Sequence, residues 1–479
     1  MLLLLIILPL AMAAVAFATP SQRLRPWLLP PAAAAHLALT VFNIWHPQHA
    51  TAWGWLVIDP PGRLVLLVLT TLFSICSVYA VGYLRYRAEL SNRVFCTCLL
   101  VFLATTTLVV CSHHLGLMWV AIEATTLATA PLIYFNRTPR SIEATWKYLL
   151  IGSVGIALAL LGTFFLAYAS LHESGDSSLL FGHLLRLARA HHLSHSWLQA
   201  AFVLLLVGYG TKMGLAPMHT WKPDAYGEAP GVVGALLAGG VTNCAFLALL
   251  RVYQICQASG DAGYASRMMI FIGLLSMSFA AVFMVGQRDF KRMLAYSSVE
   301  HMGILVLGVG IGGQALFGSL LHMINNGLTK GVLFLSAGNI RRSFGSKSTD
   351  EVRGAMRRVP LSGTCFLLGF LAVTGSPPFG PFISEFTILN GVFSTGSFWI
   401  GAAFLALLLV VFVGMGRTVL NVTQGRPLPG TRPTAYREGL LTSAPIIVSL
   451  AIILMLGTHI PGALQTLLRE AAQFVEVRP

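Results

Sequence analysis

The sequence predicts an all-α polytopic membrane protein with about fourteen transmembrane helices, and three observations carry that reading. Of its 479 residues, 56% are hydrophobic and only 10% are charged, whereas a soluble domain carries about a quarter charged residues. The mean hydropathy is +0.75. Apolar stretches near the ~20 residues needed to cross a bilayer follow one another through almost the whole chain. This composition excludes disorder, a collagen-like repeat and a disulfide scaffold. The charge is lopsided, with 31 Lys+Arg against 17 Asp+Glu, formally +14. On so apolar a chain, that excess points to anionic lipid and inside loops rather than to nucleic acid.

In chain order the spans lie near 2–18, 27–45, 64–83, 94–111, 114–135, 146–170, 197–217, 230–254, 267–286, 293–311, 315–338, 361–390, 397–420 and 440–460. The first has a leader-like Ala16-Phe17-Ala18, yet no Lys or Arg precedes it, and Arg23 and Arg25 follow it. The expectation is therefore a retained helix that starts outside. With fourteen spans and both termini outside, 22 Lys/Arg fall in inside loops. Seven fall outside: Arg63, Arg186, Arg189, Arg251, Arg267, Arg469 and Arg478. Lys212 and Lys330 lie within spans. An odd error in the count would scramble this asymmetry.

The loops and cysteines carry less. The outside loop 172–196 holds five histidines (His172, His183, His191, His192, His195) and an amphipathic stretch, 179–187. No carboxylate or Cys stands at ligand spacing to them, so an interfacial helix is the reading and no metal is assigned. The six basic residues of 341–358 mark the inner side. The tail after Leu464 is short, polar and amphipathic. The seven cysteines form no CxxC pair and read as packing residues. No glycine-rich nucleotide pattern follows a plausible strand.

The informative residues are the charges set into apolar helices. A charge near the bilayer centre costs roughly 2.5–3.5 kcal/mol on insertion scales, so such groups persist where they pair or face water. Glu123, Lys212, His301, His322, Lys330 and Glu385 all stand there. Each has a plain alternative: a hydrogen-bonded structural histidine for His322, or a static Glu123–Lys212 ion pair that holds two helices together. Glu300 lies near the inner end of its helix, where solvation is the plain reading. Acid, base and imidazole groups recurring over five helices suit a proton relay better than packing.

Two spans carry breaks. Gly214 and Pro217 interrupt the seventh just after Lys212. Gly375, Pro377, Pro378, Gly380 and Pro381 interrupt the twelfth just before Glu385. Proline removes an amide donor and frees a carbonyl, and broken helices beside buried charges mark transport sites. The breaks are five spans apart, which suits two inverted five-helix repeats, spans 4–8 and 9–13. The expected units are 1–93 (three N-terminal helices), 94–254 and 267–420 (the repeats) and 440–479 (the last helix and tail).

The runs LLLVGYGTKMGLAPMHTWKPDAYGEAP, DFKRMLAYSSVEHMG and NNGLTKGVLFLSAGNI resemble the antiporter-like membrane subunits of respiratory complex I, Mrp antiporters and membrane-bound hydrogenases. The likeness is nearest to the hydrogenase-4 component F type and extends over roughly 59–418. It implies fourteen helices with the repeats above and a proton-handling pair at Glu123 and Lys212. It further implies a charged site at Glu385 on the broken twelfth helix, and polar positions at His301, His322 and Lys330. Two departures stand out. Asn243 occupies a place where several complex I relatives carry lysine, and Asn326 one where the wider family carries histidine. Asparagine hydrogen-bonds water but carries no proton as a cation.

The function this implies is a proton-translocating subunit of a redox-driven complex, of the hydrogenase-4/formate hydrogenlyase or complex I kind. The alternatives are a subunit of an Mrp-type sodium/proton antiporter, a subunit of an ion-coupled inorganic-carbon uptake complex, and a passive scaffold. No cofactor or metal is expected in this chain, which has no electron carrier. Iron–sulfur and nickel–iron centres belong to the expected partners: a peripheral [NiFe]-hydrogenase or quinone-linked module, beside other antiporter-like and small membrane subunits and membrane lipid. The expected location is the cytoplasmic membrane of a bacterium or archaeon.

Overall fold

The computed structural model describes residues 2–46, 54–426, 434 and 436–476. Arg478, counted above among the outside basic residues, lies outside them. The first three helices are α1 (Leu2–Ala18), α2 (Leu29–Trp45) and α3 (Pro60–Arg85). Next come α4 (Arg93–Cys111), α5 (Leu115–Ile133), α6 (Pro139–Ser174), α7 (Phe181–Arg189), α8 (His195–Met213) and α9 (Trp221–Glu228). α10 (Gly231–Leu236) continues through a π turn, Leu237–Val241, into α11 (Thr242–Ala258). Then follow α12 (Ala262–Met284), α13 (Phe290–Ile311), α14 (Gly313–Phe344), the one-turn α15 (Ala355–Arg358), α16 (Pro360–Val373) and α17 (Gly380–Ser394). α18 (Phe398–Thr423), α19 (Leu440–Thr458) and α20 (Gly462–Val475) complete the series.

Local sequence sets these limits. Asp59 caps α3 by accepting from the Gly62 amide at 2.8 Å, with Pro60 and Pro61 behind it. Proline is tolerated there because the first-turn amides lack intrahelical partners anyway. Thr138 and Ser141 form a reciprocal capping box at α6, which therefore begins at Pro139 instead of near the predicted 146. Asp289 caps α13. α14 runs past the predicted end at 338 because its stop signal is Gly345, with φ +73°.

Among the described residues, ten helices are long and apolar enough to cross a membrane. Leu2–Ala18 and Pro360–Val373 are shorter apolar helices. Helix occupies each of the fourteen predicted stretches, and the twelfth is two helices, α16 and α17. The long helices missing from the ten are α8 and α14. These carry Lys212 and, on α14, His322, Asn325, Asn326 and Lys330: their own polar residues dilute the apolar character.

Small residues let the helices approach closely, as lipid-embedded bundles require. A Cβ on Gly273 of α12 would meet the Gly303 carbonyl of α13 at 2.8 Å, and one on Gly303 would meet the Gly273 carbonyl at 2.7 Å. The interior sits around α11, α13 and α14. Cys244, Phe246, Leu305, Met323 and Leu333 are buried there together with an unusual number of polar side chains. The tail segment is the helix α20, whose Leu468, Ala471, Ala472 and Val475 are buried.

Candidate functional site

α8 stops one residue after Lys212. Gly214 caps it with φ +79°, a conformation that only glycine takes without strain. The chain turns through Leu215–Thr220 before α9 resumes. The carbonyls freed at the break find partners: Trp221 Nε1 donates to the Thr211 carbonyl at 2.9 Å, and Lys222 Nζ to the Met213 carbonyl at 2.6 Å. The break between α16 and α17 repeats the plan, with Gly375 at φ +64°. The space over each glycine is filled by a charged side chain from the following half-helix. A Cβ on Gly214 would strike Lys222, and one on Gly375 would strike Glu385.

Lys212 is 1% exposed, and its ammonium lies 3.6 Å from the Glu123 carboxylate, which is 25% exposed. The ammonium donates a hydrogen bond to Thr126 and stands 5.5 Å from the centroid of the Tyr148 ring. Gly152 leaves the space this cation occupies, since a Cβ there would stand 2.8 Å from Lys212 Nζ. Glu123 also receives the Thr126 hydroxyl at 3.3 Å. The pair is thus joined by a shared hydroxyl as well as by charge.

The second cluster joins α13, α14 and α17. His301 Nδ1 and His322 Nε2 are 2.9 Å apart, and His322 Nδ1 is 2.9 Å from Ser384 Oγ. Ser384 adjoins Glu385. One donor atom each from His301, His322 and Glu385 lie within 4.8 Å of one another. That grouping suits either a divalent cation or a shared proton, and the short histidine contact is that of a hydrogen bond with one proton between two ring nitrogens. Lys330 Nζ donates to Ser297 Oγ at 2.6 Å, and Glu300 and Glu385 are the acidic charges that act on it.

Glu300 departs from the solvated position expected for it. It is 2% exposed, because α9 and α14 pack against α13. Asn243 donates to the Gly239 carbonyl at 2.9 Å, beside the π turn. Several buried polar atoms have no protein hydrogen-bond partner: Asn243 Oδ1, Glu300 Oε2, Asn325 Oδ1, both amide atoms of Asn326, and Glu385 Oε1. Such atoms are rare in a dry interior and are ordinarily satisfied by water. They follow the same α11–α13–α14–α17 line as the charges.

Of the sequence-predicted residues, Glu123 and Lys212 meet in one place, and His301, His322, Glu385, Lys330 and Glu300 in another. Pro217, Pro377 and Pro378 lie within the two breaks. The histidines of the 172–196 loop do not converge. His183 faces Asp176 at 3.0 Å, His172 faces Glu173 at 3.4 Å, and His195 pairs with Asp261 at 2.8 Å. The intervening helix α7 buries Phe181, Leu184, Leu185 and Ala188 as an amphipathic segment does.

Sequence reasoning missed two features. Lys222, read as an inside-loop residue, is wholly buried; the signal was a lysine two residues before Asp224, immediately after the Pro217 break. Arg251, read as an outside basic residue, is 1% exposed and grips Asp59 through Nε at 2.9 Å and Nη2 at 3.1 Å. It also donates to the Ser112 and Val110 carbonyls at 2.8 Å each. Burial alone would raise the Asp59 carboxyl, but the Arg251 guanidinium and His113 outweigh it and hold it far below the usual carboxylate range. Near the start of α13, Glu228 and Asp289 both meet Lys347 at 2.7 Å. Burial works against the Glu228 carboxylate there, while Lys347, Arg341 and Lys291 favour it and leave its pKa below the ordinary value.

The membrane family described as NADH:quinone oxidoreductase/Mrp antiporter, TM, matches residues 112–412. A hydrogenase-4 component F homolog of Methylacidiphilum infernorum is 34% identical over 422 residues, covering 84% of this chain and 87% of that protein. NADH-quinone oxidoreductase subunit N of Desulforudis audaxviator is 31% identical over 457 residues, covering 93% of this chain and 86% of the other. A chain in the structure of the Mrp complex from Dietzia sp. shares the fold with a TM-score of 0.86 at 19% identity, covering 99% of this chain and 96% of that one.

Proposed function

The chain belongs to the NADH:quinone oxidoreductase/Mrp antiporter family of membrane subunits, and from that premise we propose that it moves protons across the membrane as one module of a redox-driven complex. The observation that carries the proposal is the placement of the buried titratable groups. They form two hydrogen-bonded clusters, each beside a broken helix, with polar atoms lacking protein partners in between.

In this reading, fourteen crossings contain two inverted five-helix repeats, 94–254 and 267–420, between the N-terminal helices of 1–93 and the 440–479 segment. Both termini lie outside. A proton enters from the inside near the α8–α9 break, passes along the polar axis and leaves through the Glu385 half. Glu123 and Lys212 act as the switch. Drawing the carboxylate away removes the opposite charge that favours the ammonium, so Lys212 releases its proton. His301 and His322 hold a proton between them, and Lys330 and Glu385 receive and discharge it. Asn243, Asn326 and Glu300 keep the axis hydrated and set its local charge.

Energy comes from partners: iron–sulfur centres, and nickel–iron centres if the peripheral module is a hydrogenase, with other antiporter-like and small membrane subunits alongside. The test is gentle purification of the intact assembly, with identification of its subunits and metals and measurement of proton translocation during turnover. A redox module with coupled translocation is the expected result. An assembly free of iron and nickel that exchanges sodium for protons overturns the redox reading.

A further inference from the structure

Between the two clusters lies a cation that the relay as drawn does not use. Lys222, in the first turn of α9, is 0% exposed. Its ammonium donates to the carbonyl of Met213, one residue after Lys212, at 2.6 Å. It also reaches the carbonyl of Ser298 on α13, three residues before His301, at 3.3 Å. One side chain therefore touches the backbone beside both clusters. Its charge acts on Lys330 and on His301, and the Tyr226 ring centroid stands 5.7 Å away. Among the described residues, Lys222 donates only to carbonyls, so no carboxylate fixes its charge.

A static role is the first alternative to weigh. A lysine at a helix C-terminus satisfies free carbonyls and favours the dipole, and Lys222 does this for α8. That role needs a donor group but not burial of an unpaired cation, which is costly in a low-dielectric interior. A glutamine amide would serve the carbonyls at lower cost. The two breaks supply a second argument. Lys222 fills the space over Gly214 as Glu385 fills the space over Gly375, so each broken helix presents one ionisable group from its second half at the same place.

We propose that Lys222 is a proton-carrying member of the pathway, the link between the Glu123–Lys212 pair and the His301–His322–Lys330 cluster. This rests on the relay reading above. The neutral Lys222 amine gains one proton as the Lys212 ammonium loses one, directly or through intervening water. It then returns that proton toward His301 and Lys330. No electron moves, and the N–H gained on one base is the N–H lost on another.

The test compares three substitutions in the intact complex, read by lumen acidification of inverted membrane vesicles during turnover. Lys222→Gln keeps a donor for the Met213 carbonyl but carries no proton. Lys222→Arg keeps charge and donors but does not deprotonate in proteins. Lys222→His keeps a group that titrates, and serves as the second arm where the others assemble poorly. The acidification due to this subunit is expected to fall at least tenfold in Lys222→Gln and Lys222→Arg, with part of it retained in Lys222→His. Wild-type acidification by Lys222→Gln or Lys222→Arg overturns the proposal, as does a loss in assembled Lys222→His as complete as in Lys222→Gln. Glu123→Gln is measured alongside. If it too acidifies normally, the relay reading itself fails; if it abolishes acidification while Lys222→Gln does not, only the Lys222 assignment falls.

Discussion

Lys212 Nζ stands 3.6 Å from Glu123 Oε2, but its hydrogen bond goes to Thr126, whose hydroxyl also contacts Glu123. An ion pair held through an intermediate hydroxyl is easier to separate than a bidentate one, because the ammonium keeps a partner when the carboxylate moves. Thr126→Val removes that partner without altering either charge. The expected result is a five- to tenfold fall in coupled translocation, corresponding to about 1–1.4 kcal/mol, the net worth of one buried hydrogen bond. Acidification rates in vesicles check it, with assembly confirmed by yield.

His322 bridges two partners, His301 on one ring nitrogen and Ser384 on the other. His322→Ala severs the line and is expected to abolish translocation. Ser384→Ala leaves the histidine pair intact and is expected to slow it no more than about tenfold. Reversal of that order, with Ser384→Ala the more severe, would place the path elsewhere.

Arg251 and Asp59 tie the end of α11 to the start of α3 on the opposite side from the basic loops. Removing one partner of a buried pair leaves an uncompensated charge and costs about 3–5 kcal/mol. Arg251→Met is expected to lower the thermal unfolding midpoint clearly. Arg251→Met combined with Asp59→Leu is expected to recover most of the loss. Intrinsic tryptophan fluorescence against temperature measures both.

Glu228 offers a pH dependence outside the spanning helices. Its folded pKa lies below the ordinary 4.5, because Lys347 and its basic neighbours outweigh burial. The carboxylate therefore contributes stability that is present above pH 4.5 and is lost as the pH falls through the folded value. Glu228→Gln is expected to be less stable than wild type near neutrality and to converge with it in acid. Unfolding midpoints across that range measure the difference, and a constant gap would show that Lys347 does not engage the carboxylate.

The fold was largely legible because a bilayer imposes a single length and a single polarity on each crossing. The positions of fourteen helical stretches followed from apolar runs, and both breaks from Gly214, Pro217, Gly375 and the prolines after it. The π turn at Leu237–Val241 was invisible, since its sequence is as apolar as the helix on either side. The pair at Glu123 and the groups on α13, α14 and α17 were legible as types and positions. Their joining atoms were not: Thr126, Ser297 and Ser384 are common residues whose role arises only from neighbours distant in sequence. The burial of Lys222 and Arg251 was missed for one reason. Charge counts assign a residue to the side of the membrane it borders, whereas these two side chains are buried and held by backbone carbonyls and, for Arg251, by the Asp59 carboxylate.

The central claim is that the buried charges move protons instead of bracing the bundle. Its most direct test is turnover-driven lumen acidification in inverted vesicles bearing the intact complex, with Lys212→Met and Glu385→Gln introduced singly. The account predicts assembled complexes in which either substitution removes the acidification due to this subunit. Full acidification in both variants, at wild-type turnover, would contradict it.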